Sequence, residues 1–115
     1  MLDHAQVVSE LLREFPALEA DLREESWAGL LHLEIACFAR YTQHQIDTGN
    51  RSELRHCFET ARRFMLNGTK DVTNAMHVSY LEHLNLRDQR VQRQWALVEM
   101  PQPLRQSYEI IWGKQ

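Results

Sequence analysis

At 115 residues the chain has the length of one ordinary domain and too little material for two separate cores. Hydrophobic residues make up 43 % and charged residues 25 %, too apolar for a disordered chain, and only 4 Gly and 3 Pro are spread through it. All-β domains need many turn residues, so this scarcity points to helices, and the expected fold is all-α, one domain over residues 1–115.

The charge is uneven. Residues 1–50 hold nine acidic and three basic residues, a net of −6, and residues 51–115 carry +3. The first half would steer toward a basic partner and repel nucleic acid, or the two halves would attract one another within the fold. The N-terminus lacks the basic and apolar regions of a secretory signal. The most apolar stretch, Trp27 to Ala39, is interrupted by His32 and Glu34 and is too short to span a bilayer, which takes roughly 20 residues. A cytoplasmic protein is expected, with Cys37 and Cys57 as buried free thiols.

In chain order, Val7, Val8, Leu11, Leu12 and Phe15 form one apolar stripe of a helix that ends before Pro16. Pro16 can open a short second helix over 17–23. A long helix is expected from an N-cap at Ser26 to Asp47, with Trp27, Leu30, Leu31, Leu33, Ile35, Phe38, Tyr41 and Ile46 in a wide, central apolar arc. Thr48-Gly49-Asn50 stops it. Asn50 and Glu53 have the spacing of a capping box. The next helix should turn Leu54, Cys57, Phe58, Ala61, Met65 and Leu66 inward and Arg51, Arg55, Arg62 and Arg63 to solvent.

After Asn67-Gly68, Thr69 or Asp71 should cap a central helix from Val72 to about Leu84, in which Asn74 and His83 are expected to be hydrogen-bonded core residues. A helix over 88–99 should present Val91, Trp95 and Val98. Pro101 and Pro103 break the chain before a last amphipathic segment with Leu104, Tyr108, Ile111 and Trp112. The layout is a single compact domain of six to seven antiparallel helices. Its pairs resemble in shape the helical hairpins of HEAT-type solenoids, without a sequence period.

Sites for chemistry are few. Glu53-x-x-His56 has the spacing of a carboxylate-metal motif, but a di-iron site needs a second copy and there is none; a surface ion pair is expected, and no metal or other cofactor. His56 and Cys57 are adjacent and face different directions on a helix, which argues against a nucleophilic thiol, and no catalytic residue is assigned. The four glycines are isolated, so no phosphate loop exists. Glu19, Asp21, Glu24 and Glu25 are different. Four carboxylates within seven residues repel one another, and they are the expected partner-binding residues.

The run Phe64-Met65-Leu66-Asn67-Gly68-Thr69-Lys70-Asp71-Val72-Thr73-Asn74-Ala75-Met76-His77-Val78-Ser79-Tyr80-Leu81-Glu82-His83-Leu84 resembles a family of small bacterial helical proteins. In that family Gly, then Val-x-Asn, then Val-Ser-aromatic-Leu-Glu-x-Leu recurs. The tail Met100-Pro101-Gln102-Pro103-Leu104-Arg105 with Tyr108 is similar to how those chains end. The family is mostly uncharacterised and includes immunity proteins of contact-dependent growth inhibition and polymorphic toxin systems. The resemblance implies a non-catalytic immunity protein that occludes a cognate toxin domain, a nuclease with a basic surface, with no nucleic acid or membrane as partner. The alternative is a helical adaptor that holds a peptide, for which an exposed Trp95 or Trp112 would speak.

Overall fold

A computed structural model describes residues 1–23, 30–86 and 94–112. The architecture is all-α, with seven α-helices among the described residues: α1 His4–Glu14, α2 Glu19–Leu22, α3 Leu31–Asp47, α4 Arg51–Asn67, α5 Lys70–Ala75, α6 Gln94–Glu99 and α7 Leu104–Trp112. No helix there is long and apolar enough to cross a membrane.

α1 begins on a complete capping box, in which the Asp3 carboxylate accepts from the Gln6 N–H at 2.9 Å and the Gln6 side chain accepts from the Asp3 N–H at 3.0 Å. Val7 and Leu11 of its stripe are buried, and so is Phe15, where Pro16 turns the chain into a 3₁₀ turn, Pro16–Leu18. Leu18 and Leu22 pin that turn and the short α2 to the core.

α3 starts later than its apolar pattern suggests. Leu30 is extended, at φ −105° and ψ 100°, and caps the helix without a side-chain hydrogen bond. A helix from Ser26 through Leu30 is therefore not formed; Ser26 and Trp27 themselves lie outside the described residues. Gly29, a poor helix former, was the available signal for a later start. From Glu34 on, α3 buries Ile35, Ala36, Cys37, Phe38 and Ala39 in succession, as befits a central helix. Leu30 and Leu33, expected in that arc, are instead 52 % and 44 % exposed. Gly49 takes φ +72° in the tight turn to α4, a conformation that suits glycine.

Asn50 caps α4 by accepting from the Glu53 N–H at 3.2 Å. The box is only half formed, because the Asn50 N–H donates to the Gln45 carbonyl and the Glu53 carboxylate is engaged elsewhere. The buried face of α4 is Leu54, Cys57, Phe58, Thr60, Ala61 and Phe64. Phe64 takes the place expected of Leu66, which is 53 % exposed, since residues 57, 61 and 64 follow one helical line and 66 falls off it.

Thr69 caps α5, and the rod continues as a π-helical segment, Met76–Tyr80, and a 3₁₀ turn, Leu81–His83. The single central helix expected from Val72 to Leu84 is thus one rod of three pitches, with Val72, Ala75, Met76, Tyr80, Leu81 and Leu84 buried. Asn74 and His83, expected in the core, are exposed. In α6 the buried residue is Ala96, and Val98 is 74 % exposed, so the face expected from Val91, Trp95 and Val98 is not the buried one; Val91 lies outside the described residues. α7 buries Leu104 and Tyr108 as expected.

Aromatic rings join these pieces. Phe38 of α3 stands 5.3 Å from Phe15, 6.1 Å from Phe64 and 4.8 Å from Tyr80, ring centre to ring centre. The Tyr80 hydroxyl shares a 2.9 Å hydrogen bond with that of Thr42, one turn beyond Phe38 on α3. At the turn before α5, Gly68 is packed so tightly that an added Cβ would lie 2.5 Å from both the Phe64 carbonyl oxygen and Val72 Cγ1.

Two stability outcomes follow, both read by urea unfolding. Gly68→Ala should lower stability by about 1–3 kcal/mol, because backbone and a packed side chain must give way. Phe64→Ala should cost about 3–5 kcal/mol, whereas Leu66→Ala should stay within about 0.5 kcal/mol of the parent.

Candidate partner-binding surface and polar clusters

Glu19 and Asp21 are both exposed on α2, and Glu19 pairs with Arg23 one turn on at 3.2 Å. Such an exposed pair adds little to stability. Glu24 and Glu25, expected on the same surface, lie outside the described residues.

Elsewhere the charges are spent inside the molecule. Arg63 of α4 reaches Glu10 at 2.9 Å and Glu14 at 3.6 Å, tying the acidic first half to the basic second half. Arg51 and Arg55 converge on Glu99 of α6 at 3.3 and 2.7 Å. The Arg55 hydrogen bond holds that carboxyl below the usual range. Arg51 also lies 5.3 Å over the ring of Trp95. Arg62 pairs with Glu59 at 3.1 Å and donates to the Gln102 carbonyl at 3.2 Å. The α4 arginines are therefore clamps on α1, α6 and the loop before α7 rather than a free basic face.

Glu53 and His56 do form the expected ion pair, at 3.0 Å, but within a larger chain of contacts. The Tyr41 hydroxyl donates to the other Glu53 oxygen, and the far nitrogen of His56 faces Glu14 at 3.4 Å. Phe15 stacks on the imidazole with ring centres 4.4 Å apart. The two carboxylates meet opposite edges of the imidazole ring, which links three helices and does not converge on a point. Among the described residues no three His, Cys, Asp or Glu side chains are grouped as a metal site.

The remaining histidines are held by nearby hydroxyl and carbonyl groups. His83 Nδ1 donates to the Ser79 carbonyl at 2.7 Å. His77 Nδ1 donates to the Thr73 carbonyl at 3.1 Å, and its other nitrogen lies 3.3 Å from the Ser107 hydroxyl. His32 Nδ1 lies 2.8 Å from the Ser79 hydroxyl. A carbonyl only accepts, so Nδ1 of His77 and His83 carries the proton.

Both cysteines are buried and free, as expected. Burial raises the Cys37 thiol, although Arg40 donates to its sulfur at 3.1 Å. Burial pushes the Cys57 thiol from 9.0 up to about 12. Such thiols stay protonated and unreactive.

Two features were not singled out by sequence reasoning. Glu34 is only 3 % exposed, and His4 from the first turn of α1 meets it at 2.5 Å. A glutamate inside an apolar run was the signal, since a buried carboxylate needs a partner; the partner, 30 residues away, was not legible. The second is an open cleft of about 610 Å³ where the starts of α1, α3 and α5 meet, lined among others by Asp3, His4, Leu31, His32, Asp71 and Asn74.

Residues 8–113 match a domain of unknown function, DUF7674. The chain belongs to that family. The match takes in the whole Phe64–Leu84 run and the tail to Tyr108, so the DUF7674 domain comprises every helix described here except the first turn of α1. No match was found among curated proteins or among solved structures.

The buried acids of this DUF7674 domain give a pH prediction. Cys57, Tyr41 and Tyr80 are all raised, chiefly by burial, so the unfolded chain releases protons that the folded one retains. Their contribution is complete below pH 9.0 and is lost as pH climbs toward about 12. Urea midpoints should hold steady to about pH 8.5 and fall progressively above that. Cys57 in the native protein should resist an aromatic disulfide reagent near pH 8, and should react once the chain is unfolded.

Proposed function

We propose that this protein is a non-catalytic immunity protein of the cytoplasm, which binds a cognate bacterial toxin domain and occludes it. The observation that carries the reading is the way the acidic charge is distributed. Glu10, Glu14 and Glu34 are paired within the fold, whereas Glu19 and Asp21 stand exposed together on a four-residue helix. A toxin that acts on nucleic acid must present a basic surface, and outward carboxylates would steer onto it and set the on-rate. The resemblance of the Phe64–Leu84 run to immunity proteins of contact-dependent growth inhibition supports the same partner class.

An adaptor that holds a peptide is supported less well. The tryptophans that it would use have structural tasks: Trp95 lies under Arg51, and the Trp112 indole N–H donates to the Leu81 carbonyl at 2.9 Å.

The test is rescue. The C-terminal part of the open reading frame beside this gene is expressed alone and together with this chain, and growth and co-purification are scored. Restored growth with the pair eluting as one complex is expected; toxicity that persists on co-expression rejects the reading. In that complex, Glu19→Gln with Asp21→Asn should slow association by about tenfold at low salt and flatten its salt dependence. Unchanged rates would remove α2 from the contact surface.

A further inference from the structure

The first turn of α3 is where the apolar pattern and the fold disagree most. Leu30 and Leu33 point to solvent from a helix that is otherwise enclosed within a few residues of its start. Leu31, between them, lines the cleft at the meeting of α1, α3 and α5, with the carboxyl-bearing Asp3 and Asp71 also in its wall. On the other flank, Leu33 is one helical turn from Cys37, a residue close enough to α2 to feel the charge of Asp21. An exposed leucine turn thus has carboxylates on both sides, the arrangement of an interface with an apolar centre and a polar rim.

The sign of the cleft follows from its parts. Three helix N-termini each contribute roughly half a positive charge. Asp3, Asp71 and the Glu34 carboxylate behind His4 outweigh them, with Lys70 and a protonated His4 as the opposing cations. The exposed leucines call for an apolar contact, and the carboxylates beside them call for a basic one.

We propose that the Leu30–Leu33 turn and the adjoining cleft are the centre of the partner interface: an apolar side chain of the partner packs on Leu30 and Leu33, and a lysine or arginine from the same partner surface enters the cleft beside Asp3 and Asp71. The proposal rests on the reading that the chain binds a basic protein, and it names the place and the chemistry of the contact. It joins α2 to the cleft as one surface, with the acids of α2 on its rim.

The experiment is a calorimetric titration of the toxin domain recovered by the rescue test against full-length variants of this chain. Leu30→Ser with Leu33→Ser, both at exposed positions, should weaken binding by about thirtyfold while the thermal midpoint stays near that of the parent. Asp71→Asn should weaken it several-fold and make it less sensitive to salt. If both variants bind like the parent while the α2 variant is weakened, this surface is wrong and the immunity reading stands. If no toxin is bound or neutralised, the reading fails and the proposal fails with it.

Discussion

The fold turns on the packing around Phe38. Its ring meets Phe15 from the end of α1, Phe64 from α4 and Tyr80 from the π-helical part of the central rod. Three segments distant in sequence are thereby held to one side chain of α3, and the hydroxyl bond between Thr42 and Tyr80 fixes the rod's rotation against that helix. Tyr80 is fully buried, so its hydroxyl needs this partner, and Thr42 supplies it without adding charge to the core. Edge and tilted ring contacts of this kind add to the stabilisation from burial alone. The polar surfaces described above all hang on the elements that Phe38 gathers.

Charge is distributed according to the same frame. The arginines of α4 lie on the face away from Phe38, and each is engaged by an acid from a neighbouring element or from its own helix. Pairs this exposed contribute little individually. Their effect is geometric, because a planar guanidinium between two helices constrains how far they can slide. The attraction between an acidic first half and a basic second half is partly consumed in this way, at Arg63. What remains outward on the acidic side is concentrated at α2 and at the cleft, and it is there that a basic partner would be drawn.

Much of this was legible in the sequence where one period or one breaker decides. The stripe of Val7, Leu11 and Phe15, the stop at Pro16, the turn at Gly49 and the helix ends at Asn67 and Gly68 fall where their chemistry puts them. Failures came where a longer-range contact decided. Leu66 and Val98 are as apolar as the residues that replaced them in the core, and only the register against neighbouring helices separates them. Nothing in the residues of Met76–Tyr80 marks a change of pitch, since apolar spacing reports a helix without its rise per turn. For the site, the exposure of Glu19 and Asp21 followed from composition, whereas the cleft did not. Asp3, Leu31 and Asp71 are brought together only by the assembly of three helix starts.

The pairing of Leu2 with the turn at Gly68 has a consequence for how the molecule opens. The Leu2 N–H donates to the Asn67 carbonyl at 2.6 Å and the Leu2 carbonyl accepts from the Thr69 N–H at 2.9 Å, a single rung of parallel β-bridge in a helical protein. The rung closes residues 2–69 into a ring, with α1 at one end and the cap of α5 at the other. A first helix of this length would ordinarily fray from its free end. Here it is anchored at both ends, so its amides and those at the start of α5 should open together as one cooperative unit. Slow hydrogen exchange is then inherited by an N-terminal strand end whose own few contacts would not have conferred it.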